Sequence, residues 1–142
     1  MTSPALSIIR EAITSFGVNA MLSLVFFVAT FGGPALDLGW EGSDGLALDF
    51  VPQSIAVSLM SALVPALLAR RRMGLAISIG TVIRRALGFA ACGAVLGAIL
   101  AAGLANAGMS SISWGSCLAL KLAYGGLLGA IITSMLLQRM TR

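Results

Sequence analysis

Histidine does not occur in this 142-residue chain. Its absence removes the commonest general base, the commonest metal ligand and the usual axial ligand of haem. Cysteine is nearly as scarce. Cys92 and Cys117 lie in apolar stretches without C-x-x-C spacing, so buried, inert thiols are expected and disulfide or zinc chemistry is not. Charge is also short: 10% of residues carry one, where soluble domains run near a quarter. Without histidine, paired intramembrane carboxylates or an activated nucleophile, the sequence predicts no enzyme, no metal site and no cofactor.

Apolar residues dominate instead, at 58% of the chain, with a mean hydropathy of +1.01. Four long runs carry them, at about 12–31, 50–69, 86–105 and 114–137. About 20 residues at 1.5 Å rise cover the ~30 Å hydrocarbon core of a bilayer. The predicted fold is therefore an all-α integral membrane protein, a single domain over residues 1–142, with four transmembrane helices in a compact bundle. The first run is too long for the apolar region of a cleaved signal peptide, and residues 28–32 offer no small-x-small cleavage site. It is read as a retained span.

The basic residues set the orientation. Arg70, Arg71, Arg72, Arg84 and Arg85 lie between the second and third spans, and Arg139 and Arg142 follow the fourth. The loop after the first span carries Asp37, Glu41, Asp44 and Asp49 with no basic residue among them. Lys and Arg near span ends resist translocation, so both termini are expected in the cytoplasm and the protein in the plasma (bacterial inner) membrane. Between Arg72 and Arg84, the stretch 73–83 is too short to cross. It is expected either as a short interfacial segment among anionic headgroups or as an inward extension of the third span. The acidic loop does not spell a calcium site, because Leu48 stands where an EF-hand needs its bidentate glutamate. The high isoelectric point does not mark a nucleic-acid binder either, since the arginines flank spans and no exposed aromatics interleave them.

Three intramembrane features are candidate sites. Gly93 and Gly97 on the third span, and Gly125 and Gly129 on the fourth, are spaced for close helix contact. The third and fourth spans are sequential, so these pairs are expected to face each other, or else a second copy. Span one carries a polar stripe of Glu11, Ser15, Asn19, Ser23 and Thr30, and span two offers Gln53, Ser54, Ser58 and Ser61. Hydrogen bonds between spans one and two are expected, with Asn19 near the membrane midplane and Gln53 and Ser58 also polar within the membrane. Lys121 is the only charge well inside a span. Either its stem snorkels to the headgroups, or it pairs with Asp49, or it serves transport.

Four short spans with an acid near the start of the first invite comparison with small multidrug-resistance transporters. The detail differs, because Glu11 sits beside Arg10 at the span edge and the aromatic residues of that family's cavity have no counterparts. Two functions are carried forward. One is an accessory or scaffold subunit that packs through small-residue faces against other membrane proteins. The other is a small oligomeric transporter or channel for a small solute. The lipid bilayer is the one partner common to both.

Overall fold

The computed structural model describes residues 4–33, 38–39, 45–74, 76–107 and 111–141. Four long helices make up nearly all of it: α1 (Pro4–Phe31), α2 (Leu46–Met73), α3 (Ile79–Ala105) and α4 (Trp114–Thr141). Each is long and apolar enough to cross a membrane, and together they pack as a bundle. The acidic residues Asp37, Glu41 and Asp44 and the neighbouring Trp40 lie outside the described residues.

The helices overrun the apolar runs that announced them. The stretches suited to crossing are Ile8–Phe31, Leu46–Arg72, Ile79–Ala105 and Trp114–Met140. Arginine is a good helix former, so a charged residue ends the hydrophobic run without ending the helix. The interfacial segment is corrected accordingly. Residues 79–83 form the first turns of α3, and only residues 74–78 link it to α2. That link is capped at both ends. Gly74 takes the left-handed conformation (φ 59°, ψ 29°) that closes α2, and the Ser78 hydroxyl accepts from the Thr81 N–H to open α3. Arg70 Nε donates to Ile77 O at 2.6 Å across the link.

Two short strands, absent from the sequence expectation, sit at the opposite end. β1 (Leu38–Gly39) between α1 and α2 pairs antiparallel with β2 (Ser111–Ile112) between α3 and α4. Below them Phe27, Leu46, Phe50 and Cys117 form an apolar cluster that takes partners from all four helices. Trp114 Nε1 donates to Gly32 O at 3.1 Å, and its ring meets Phe27 edge-on. This is the strand end of the molecule; the other is the arginine end. Among the described residues, the arginine-end cluster of Ala62, Ala66, Val82, Ala86, Ile132, Leu136 and Met140 draws on α2, α3 and α4.

Helix adjacency does not follow chain order. α2 packs tightly on α3, α1 packs tightly on α4, and α2 and α4 join the two pairs. α1 and α2 touch little. The glycine pairs explain this, and they correct the expected α3/α4 packing. A Cβ on Gly97 would fall 2.7 Å from Phe50 O and 2.9 Å from Val51 Cα, so Gly97 admits the α2 backbone. Gly93 receives Ser54 and Ser58 of α2 in the same way. On α4, Gly125 receives Ser23 of α1 and Gly129 receives Asn19. A short connection makes a contact between sequential helices cheap to form, but the polar stripes of α1 and α2 decide where the small residues go.

Candidate functional site

The polar stripes converge on α4. In α1, Ser15, Asn19 and Ser23 are buried at four-residue spacing, while Thr30 of the same expected stripe is exposed. Asn19 Nδ2 donates to Ser15 O at 2.8 Å and to Ser61 Oγ of α2 at 2.9 Å. Gln53 Nε2 donates to Ser23 Oγ at 2.9 Å and to Lys121 O at 3.2 Å. These amides are the two direct links between α1 and α2 that the stripes promised. Ser54 donates to Phe50 O, so the Tyr124 hydroxyl, 2.5 Å from Ser54 Oγ, is the donor of that contact.

Thr133 and Tyr124 are members of this network that the sequence reading missed. Thr133 continues the four-residue series Cys117, Lys121, Gly125, Gly129 on the inward face of α4, and that spacing was the available signal. Its role follows from Pro65. A proline inside a helix cannot donate to the carbonyl four residues back, which here is Ser61 O. α2 nevertheless runs on past Pro65 to Met73. Thr133 Oγ1 lies 3.0 Å from Ser61 O and supplies the missing donor from a neighbouring helix. The one Thr133 proton is shared between Ser61 O and Ser15 Oγ, 2.8 Å away, because the Ser15 proton goes to Gly129 O.

Lys121 does not snorkel. It is 1% exposed, and its Nζ lies 2.5 Å from Asp49 Oδ2 and 4.1 Å from the centre of the Phe50 ring. The candidate ion pair is thus formed, between the first turn of α2 and the second turn of α4. Asp49 is the more exposed partner and opens onto a cavity of about 420 Å³ between α1 and α2. Gln53, Ser23 and Met60 line the same space. A second, smaller hollow continues the groove past Asn19 and Ser61 to Glu11, sharing Leu22 and Met60 with the first. At the arginine end the groove is bridged by Glu11 and Arg72 at 3.0 Å.

A continuous seam between α1 and α2 therefore runs from one ion pair to another, floored by α4. Two buried oxygens along it, Gln53 Oε1 and Asn19 Oδ1, have no hydrogen-bond partner among the described residues. Ser58, grouped with them by sequence, is elsewhere: it is wedged against Gly93 on the α3 side, its hydroxyl also unpartnered. Of the topology arginines, Arg70 and Arg72 hold partners, and Arg71, Arg84 and Arg85 are exposed. Among the described residues no three His, Cys, Asp or Glu side chains gather as a metal site. Comparison with protein-family models, curated proteins and solved structures finds no match.

Proposed function

We propose that this is a small membrane transporter or channel that passes a small, donor-rich polar solute along the α1/α2 seam. The observation that carries the reading is the pair of unpartnered carbonyl oxygens, Gln53 Oε1 and Asn19 Oδ1, buried along a groove between two ion pairs. An unpaired buried acceptor costs about 1–3 kcal/mol, which a solute bearing N–H or O–H groups would recover if the amides turn their oxygens into the groove. Asp49 adds a carboxylate at the mouth of the cavity, favouring amines, amides or polyols over anions. The groove opens sideways, so a second copy covering it would complete a path, consistent with an oligomer.

The accessory-subunit reading drew on small-residue faces available to partners. Gly93, Gly97, Gly125 and Gly129 are all filled from within the chain, so these four do not support that reading. On the transporter reading both termini lie in the cytoplasm of a bacterial inner membrane, because eight of the nine basic residues flank the spans on one side.

The test uses purified protein and a panel of small amines, amides and polyols. A bound solute at a hundred times its Kd raises stability by about 2.7 kcal/mol, and the same solute should enter vesicles faster with protein than without. Gln53→Met should lose both effects. If no member of the panel stabilises or crosses, and a foreign subunit copurifies in stoichiometric amount, the scaffold reading takes its place.

A further inference from the structure

On the far side of the bundle from the seam, α3 and α4 diverge over a cleft of about 520 Å³. Its walls are apolar, with Gly88 and Cys92 on α3 facing Leu128 and Met135 on α4, and Ser58 on the floor. Two charges end it. Arg85 closes one wall and Arg139 the other, both exposed and both at the arginine end. Neither makes an ion pair among the described residues: Glu11 is taken by Arg72, and Asp49 pairs with Lys121 at the strand end.

The dimensions match one leaflet. From Arg85 to Leu96 on α3, and from Leu128 to Arg139 on α4, each wall rises eleven residues, or about 16 Å at 1.5 Å per residue. Half of a hydrocarbon core of about 30 Å is nearly the same depth. The trough thus begins at two cations and ends near the bilayer midplane.

We propose that this cleft binds an anionic phospholipid, with one acyl chain along the trough and the phosphate held between Arg85 and Arg139. The geometry favours a lipid over a second copy of the chain. Two copies in one membrane share their orientation, so a two-fold contact through this cleft would set Arg85 and Arg139 against the same pair, with no free carboxylate among the described residues to offset them. A phospholipid supplies the negative charge and the apolar tail together. Guanidinium groups bind phosphate through paired N–H donors, and each basic side chain near an anionic surface contributes about 1 kcal/mol.

The experiment places the full chain in phosphatidylcholine vesicles with trace spin-labelled phosphatidylglycerol or spin-labelled phosphatidylcholine, and measures the motionally restricted fraction of each. The expected result is a selective phosphatidylglycerol component that weakens about fivefold with Arg85→Gln and again with Arg139→Gln. Arg71→Gln and Arg84→Gln, which lie off the cleft, should leave it unchanged. Gly88→Phe, which fills the trough and spares both arginines, should also release the lipid. Equal losses from all four arginine variants would overturn the proposal, because general surface charge would then explain the selectivity. So would a Cys92–Cys92 crosslink between copies with lipid selectivity unaltered, since a second chain would then occupy the cleft.

Discussion

Pro65 and Thr133 show how one residue's deficit is met by another helix. Proline leaves Ser61 O without its intrahelical donor, and the Thr133 hydroxyl takes that place. Thr133→Val should therefore destabilise the protein by about 1–3 kcal/mol, the cost of a stranded buried carbonyl, while Thr133→Ser should not. The same Val change should cost less in a Pro65→Ala background, where the restored backbone N–H donates to Ser61 O from within α2. A double-mutant cycle on unfolding in detergent reads this coupling, and additive effects would refute it. Lys121 and Asp49 are open to a parallel test. Lys121→Met alone leaves a carboxylate beside apolar surface and should cost about 3–5 kcal/mol; adding Asp49→Asn should recover most of it. The Asp49 pairing was legible because both residues begin helices at one end, so depth along the membrane normal brought them together. Thr133 escaped notice because its four-residue spacing from Gly129 marks the inward face of α4 without naming a partner, which only the facing helix and its proline supply.

At the scale of elements, the glycines separate buried contact from exposed surface. Gly97→Leu would drive a side chain into the α2 backbone, and overpacking of this kind costs about 1–3 kcal/mol or more. Gly103 lies on the same helix with nothing within 4 Å of an added Cβ, so Gly103→Leu should be nearly neutral. Thermal unfolding of the two variants side by side checks the assignment, and equal melting temperatures would contradict it. Helix number and rough extent could be read from hydropathy, since length and apolarity are local properties. Which helix lies beside which could not. Spacing marks Gly93 and Gly125 as contact points, but the partner is chosen by Ser58 and Ser23 on helices distant in sequence. Boundaries slipped for a related reason: Arg70, Arg71 and Arg72 end the apolar run while remaining helical.

For the molecule as a whole, the charge distribution predicts one orientation. Reporter fusions active only outside the membrane should work when inserted between Gly33 and Gly45 and fail after Arg142. An active C-terminal fusion would overturn the orientation proposed above. The uneven anchoring of α1 has a mechanical consequence. At the strand end, α1 is tied down by Phe27, by Trp114 and by the strand pair; at the arginine end, the apolar cluster takes no described residue from it. From Ser15 onward α1 is bonded to α4, whereas Ile9 and Ile13 are exposed and Glu11 reaches Arg72 across the surface. An exposed ion pair holds with no more than about 1 kcal/mol. Among the described residues this ion pair is the tie printed across the seam at the arginine end, so on the transporter reading that is the end where the seam would part first.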